Sequence, residues 1–274
     1  MWLQRILVAL VGLPIGLLAI FAGETYFAIM MVVFLLIASY EYIGIIRIGG
    51  YHPADFSLYA AVLCLGFGRT YFPQIDPMLF LVFFVLVAGL SHLIQYERGR
   101  THAATDLAFS YTGIVYIGVL GSHFMAIRGL PGGEWWLLVV LTAVWAADTG
   151  AYAIGKWFGK DRLAPRLSPK KTWQGYLGGV VLATVMAPLL LLLYHHVNFP
   201  VAETITYPRV TIIGVVMGIF TVAGDLIISM FKRTYNLKDT GGILPGHGGI
   251  LDRLDSWLWA VSIGYYLLSV VFKI

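Results

Sequence analysis

Nine stretches of this chain are apolar over the length of a membrane span, and no polar segment of domain size separates them. A span needs about 20 mostly apolar residues. The stretches lie near 6–23, 26–46, 55–72, 77–95, 107–127, 135–156, 174–195, 209–231 and 256–272. The third is short and is interrupted by Gly66, Gly68 and Arg69. Of 274 residues, 59% are hydrophobic and 12% charged, whereas a soluble domain carries about 25% charged residues. The chain therefore reads as an all-α polytopic integral membrane protein with about nine transmembrane helices. The apolar run after Arg5 continues to Ala22, longer than a signal-peptide core of about 7–15 residues, so it is expected to stay as the first helix. Cys64 is the only cysteine, which excludes an intrachain disulfide.

Lys and Arg outside the spans set the orientation. Segments numbered even from zero at the N-terminus hold fourteen of them, among them Arg47, Arg98, Arg100, Lys156, Lys160 and Lys232. Odd segments hold four: Arg69, Arg128, Arg209 and Lys273. This asymmetry puts the N-terminus in the cytoplasm, and dropping the weak third span would make it incoherent. The net charge of +4 is thus explained by topology, with no nucleic-acid partner. Trp2, Trp135, Trp136, Trp157, Trp173 and Trp257 fall at helix ends, where an aromatic belt would place them. Two loops, 156–173 and 232–255, open on the cytoplasmic face and flank spans seven and eight.

The stretch SMFKRTYNLKDTGGILPGHGGILDRLD, Ser229 to Asp255, holds four cations, three carboxylates, one His and five Gly between two apolar helices. Asp225 lies just before it, about six residues inside span eight. That is roughly 9 Å below the loop, a depth where an acid is costly and by default functional. Its alternative is a structural ion pair. Asp252 and Asp255 are spaced to share one helix face. N-terminal capping would account for one of them more readily than for both. Oxygen ligands near phosphates suit Mg2+, which takes one or two carboxylates plus substrate oxygens. The Gly241–Gly249 run suits close backbone approach to phosphate. His247 reads equally as a phosphate donor or a loop hydrogen bond. Lys170–Lys171 and Lys232–Arg233 serve either substrate phosphate or anionic lipid. Ser168, Lys170, Lys171 and Thr172 are expected to open span seven, where a helix N-terminus favours an anion. Asp148, within span six, is a second intramembrane acid. Glu41 is near enough to the interface to snorkel and reads as structural, as do the isolated His92, His123, His195 and His196.

The pattern from Ser229, through Phe231-Lys232-Arg233, Lys238-Asp239, Gly241 and Leu244-Pro245-Gly246-His247-Gly248-Gly249-Ile250, to Asp252-Arg253-Leu254-Asp255 resembles the signature of phosphatidate cytidylyltransferases, also called CDP-diacylglycerol synthases. Upstream, Asp148-Thr149, Ala151-Tyr152, Gly155-Lys156, Phe158-Gly159-Lys160, Ser168-Pro169-Lys170-Lys171-Thr172 and Gly224-Asp225 resemble it too. The likeness is dense from about Thr142 to the C-terminus. It implies transfer of a cytidylyl group from CTP to phosphatidate, a Mg2+ requirement and commonly a homodimer. On this reading Asp225, Asp252 and Asp255 hold one or two divalent ions, a second cation of another kind being left open. Those acids with Lys232, Arg233 and His247 carry catalysis. Asp148, Ser168, Lys170, Lys171, Thr172, Ser229, Lys238, Asp239, Gly246, Gly248, Gly249 and Arg253 bind substrate. Residues 1–130 are expected to be scaffold and dimer contact, and 131–274 the catalytic region. The expected location is a bacterial inner membrane, with the active-site cleft on the cytoplasmic side.

The nearest alternative is another membrane enzyme using CTP, such as a polyprenol or dolichol kinase or an ether-lipid CDP synthase. A cation-coupled transporter is the other class. No paired broken helices mark one, and the acids gather at one face. The D-x2-D-G-x2-A-R arrangement of CDP-alcohol phosphotransferases is absent.

Overall fold

The computed structural model describes residues 2–196, 201, 203–243 and 248–274, with side chains at residue 10 and from residue 12 onward. Each apolar stretch becomes a helical rod. The helices are α1 (Trp2–Ala22), α2 (Glu24–Ile48), α3 (Asp55–Tyr71), α4 (Pro77–Glu97), α5 (Ala103–Gly113), α6 (Leu120–Arg128), α7 (Gly133–Phe158), α8 (Trp173–His196), α9 (Tyr207–Phe220), α10 (Val222–Thr234) and α11 (Leu251–Tyr266). A π-helical turn, Ile114–Val119, joins α5 to α6, and another, Leu267–Val271, follows α11. Among the described residues, seven rods are long and apolar enough to cross a membrane. They include α9 with α10 as one 28-residue span. The weak third stretch is a 17-residue helix. The sheet content described is one small hairpin, β1 (Arg162–Ala164) antiparallel to β2 (Ser168–Thr172).

The chain divides into two compact units. The first comprises Met1–Gly129 with Thr234–Leu254, the second Leu130–Arg233 with Asp255–Ile274. Sequence order alone would group 234–254 with the C-terminal region, but its contacts are with the first unit. The Tyr235 ring lies against Gly49 and the Gly241 backbone against Glu41, so that a Cβ at either glycine would displace that neighbour.

In the first unit Phe27, Leu35, Leu58, Leu65, Ile114 and Ile117 form the buried apolar centre. A polar lash closes one end. Arg100 Nε donates to the buried Asp106 at 2.7 Å, and His52 N donates to the same carboxylate at 2.8 Å. Burying that acid is tolerable because it is paired and hydrogen-bonded.

The second unit is built on small residues. Ala147, Ala151 and Gly155 of α7 face Gly175, Gly179 and Ala183 of α8, both series spaced by four. A Cβ on Gly179 would stand 2.6 Å from the Ala147 carbonyl, and one on Gly175 2.7 Å from that of Ala151. Such stripes let membrane helices pack backbone to backbone, where lipid offers no hydrophobic drive. Trp135 and Trp136 are buried core residues, not belt residues; their place inside the packed end of α7 explains the departure. Trp157 and Trp173, at the other end of α7 and the start of α8, are 74% and 50% exposed, as a belt requires.

Candidate active site

In the second unit the long span breaks at Thr221. Its hydroxyl donates to Met217 O at 2.7 Å, and Gly224 N donates to Thr221 O at 3.1 Å. A new helix, α10, then begins, so Asp225 falls in a first turn, where unsatisfied N–H groups favour a carboxylate. Nine residues separate it from the end of α10, about 14 Å, deeper than the six residues expected. Ser229 Oγ donates to Asp225 Oδ1 at 3.3 Å, and the Lys171 ammonium pairs with Asp225 Oδ2.

The neighbouring helix meets this turn at its backbone. A Cβ on Gly224 would collide with the Asp255 carbonyl group and stand 3.0 Å from Ser256 Cα. Only glycine lets α10 and α11 touch here. The contact sets Asp255, 6% exposed, beside the Asp225 turn. Asp255 Oδ1 accepts from Ser256 N at 2.6 Å. Its carboxyl interacts electrostatically with Asp225, Lys232 and Asp148, and Asp225 interacts with Lys171 and Lys232. Lys232, 7% exposed, lies two turns after Asp225 on α10. Asp148 is exposed, as is Thr149 beside it, where α7 leaves its mostly buried first half. Thus Asp148, Lys171, Asp225, Ser229, Lys232 and Asp255 belong to one polar group among apolar helices.

The 156–173 loop differs from expectation. Ser168, Lys170, Lys171 and Thr172 form β2, and α8 starts at Trp173, close to the expected start of span seven near 174. Backbone pairing, Arg162 with Thr172 and Ala164 with Ser168, takes the place of a helical opening. The start of α8 is already used. Thr172 Oγ1 accepts from Gly175 N at 3.2 Å, and Trp173 N donates to Asp161 O at 2.9 Å. Thr172 is buried and acts as an N-cap. The strand geometry explains why Lys171 turns to Asp225 while Lys170 is exposed. Arg233 Nε donates to Leu167 O at 3.3 Å, tying α10 to the hairpin turn.

In the first unit the signature segment folds onto α2. Asp252 Oδ2 accepts from Thr240 N at 2.8 Å, Thr240 Oγ1 at 3.0 Å and Gly249 N at 3.1 Å. Glu41 Oε2 accepts from Leu251 N at 2.8 Å and Oε1 from Ile250 N at 3.0 Å, and the single Thr240 hydroxyl proton is shared between Glu41 Oε2 and Asp252 Oδ2, each 3.0 Å from Oγ1. Gly248 has φ +83, which glycine adopts without strain. A Cβ on Gly249 would collide with Thr240 and Glu41. The Gly249 amide therefore meets a carboxylate of this chain. A cavity of about 360 Å3 lies here, lined in part by Glu41, Gly44, Asp239 and Thr240. Lys238, Asp239 and Arg253 are exposed. Gly246 and His247 lie outside the described residues.

Glu41 is the residue that sequence reasoning passed over. The signal was present: a single acid inside an apolar stretch, the criterion that singled out Asp148 and Asp225. Its nearness to a helix end gave it a bland explanation, yet it is 3% exposed.

Among the described residues, no three His, Cys, Asp or Glu side chains gather as a metal site. Asp225 and Asp255 nonetheless supply two hard oxygen donors in mutual electrostatic contact. That fits Mg2+, which needs only one or two carboxylates when phosphate supplies the rest.

A family model described as "Cytidylyltransferase family" matches residues 3–271. A phosphatidate cytidylyltransferase of Synechocystis sp. is 30% identical over 99% of this chain and 98% of its own length. The phosphatidate cytidylyltransferase of Bacillus subtilis is 38% identical over 62% of this chain and 61% of its own. That of Staphylococcus haemolyticus is 36% identical over 60% and 59%. The match thus spans about three fifths of the Bacillus and Staphylococcus proteins and nearly all of the Synechocystis one. With the family model covering almost every residue, this chain belongs to the cytidylyltransferase family.

Proposed function

We propose that this chain transfers a cytidylyl group from CTP to phosphatidate, giving CDP-diacylglycerol and pyrophosphate for phospholipid biosynthesis. The observation that carries the reading is the grouping of Asp225, Asp255, Lys171 and Lys232 among apolar helices. The similarity to the Synechocystis phosphatidate cytidylyltransferase along nearly the whole chain supports it.

A phosphate oxygen of phosphatidate attacks the α-phosphorus of CTP. A new P–O bond forms as the bond from the α-phosphorus to the α,β-bridging oxygen breaks, and pyrophosphate leaves with that electron pair. A phosphate dianion is already a nucleophile, so no strong base is required. Positioning and charge neutralisation are what such a transfer needs from a protein. Asp225 and Asp255 are the residues to hold Mg2+ in the second unit, and Asp252 is a candidate ligand of the first, giving one or two sites. When bound, the metal neutralises triphosphate charge and orients oxygens. Lys171 and Lys232 bind phosphate, Lys171 exchanging Asp225 for the incoming anion. Arg233, Lys170, Lys238 and Arg253 attract the two anionic substrates, and Ser168 and Ser229 donate to them. Acyl chains stay in the bilayer. About nine spans, an N-terminus and cleft facing the cytoplasm, a bacterial inner membrane and a homodimer complete the reading.

The test supplies purified full-length protein with CTP, Mg2+ and vesicles containing phosphatidate or a polyprenol. The expected products are CDP-diacylglycerol and pyrophosphate in equal amounts, from phosphatidate alone. Release of CDP with a phosphorylated alcohol would replace this reading with a lipid kinase.

A further inference from the structure

Glu41 takes no part in the transfer described above, yet it joins α2 to three points 199 to 210 residues away in sequence. Its two oxygens take the Ile250 and Leu251 amides, which open α11. A buried carboxylate from another helix thus does the work of an N-cap, satisfying donors that a helix start leaves free. The same Oε2 holds the Thr240 hydroxyl, which also stands 3.0 Å from Asp252 Oδ2. Thr240 is fixed a second time, its amide donating to Asp252. Two glycines complete the fit, since side chains at Gly241 or Gly249 would run into the Glu41 carboxylate.

We propose that Glu41 is a positioning residue for cytidylyl transfer. Through the Ile250 and Leu251 amides it sets the first turn of α11, and through the Thr240 hydroxyl it sets the Asp252 carboxylate. The proposal rests on the function given above for Asp252. It assigns the N-terminal helices a part in the chemistry that the expectation of a scaffold omits. Charge alone would not suffice. An amide at this place would turn N–H donors towards an amide or hydroxyl donor, leaving buried groups unpaired.

The test compares full-length wild type, Glu41→Gln, Thr240→Val and Thr240→Ser in phosphatidate vesicles with CTP and Mg2+. Turnover, KM for CTP, thermal melting and amide hydrogen exchange over 249–252 are measured. Misplacing a group by about 1 Å costs rate more than affinity. Glu41→Gln is expected to lower kcat roughly tenfold or more, with KM within about twofold. Exchange over 249–252 should rise while the melting temperature is kept. Thr240→Val should shift in the same direction, and Thr240→Ser, which keeps the hydroxyl, should match wild type. Wild-type kcat in Glu41→Gln, or unchanged exchange over 249–252, overturns the proposal. If Glu41→Gln does not fold, wild-type behaviour of Thr240→Val overturns it instead. A wild-type protein that makes no CDP-diacylglycerol defeats the functional reading, and the exchange measurement still decides whether Glu41 orders α11.

Discussion

Glu41 and Asp252 in the first unit, and Asp225 and Asp255 in the second, are all acids in or beside apolar helices, but their surroundings differ. Glu41 and Asp252 each accept from two backbone amides and share the Thr240 hydroxyl between them. Their partners are fixed by the fold. Asp225 instead faces the ammonium groups of Lys171 and Lys232, and Asp255 faces Asp225 and Asp148. Beyond the Ser229 hydroxyl and the Ser256 amide, their partners are charged side chains. Backbone N–H groups hold Glu41 and the Oδ2 side of Asp252 in place, so Asp252 would meet a metal as a ligand already set by the fold. A carboxylate opposite a lysine and another acid is suited to exchange partners for phosphate and metal. Intramembrane acids therefore divide by partner type, which sequence position does not reveal.

Asp255→Asn removes one of the two exchangeable acids and should outweigh the two changes that follow. Turnover is expected to fall about 1,000-fold with melting unchanged; a loss below tenfold would erase the distinction between the two regions. Gly224→Ala probes the contact that brings those acids together. Its Cβ meets backbone, which cannot swing aside. Turnover should fall about 100-fold and stability by about 1–3 kcal/mol, read by rate and denaturant midpoint. Normal values would show that the close approach is dispensable. Lys171→Met leaves Asp225 with Lys232 as its remaining cation in this group. A rate loss of about tenfold, or about 1.4 kcal/mol, with raised KM for CTP, is expected. A changed rate with unchanged KM would make Lys171 an aligner of Asp225 and not a phosphate binder.

The helical architecture was legible because hydropathy at span length leaves a chain few alternatives. Acid positions 148 and 225 were legible for the same reason, since a charge in an apolar run is conspicuous. The break at Thr221 was not, because Thr and Gly are tolerated inside membrane helices and leave no hydropathy gap. Nor was the β2 strand. Ser168 to Thr172 look like the opening of a helix, and only pairing with Arg162–Ala164 reveals otherwise. Glu41 was missed because its partners are about 200 residues away. The Gly241–Gly249 run looked like a phosphate cradle, and within it Gly241 and Gly249 lie against Glu41, a contact that no spacing in the run announces.

The proposed transfer depends on the Asp225–Asp255 group. It is tested most directly by pyrophosphate release from CTP and phosphatidate by purified Asp225→Asn, with melting confirmed equal to wild type. No release above the protein-free rate is expected. Release at or near the wild-type rate from that folded variant would contradict it.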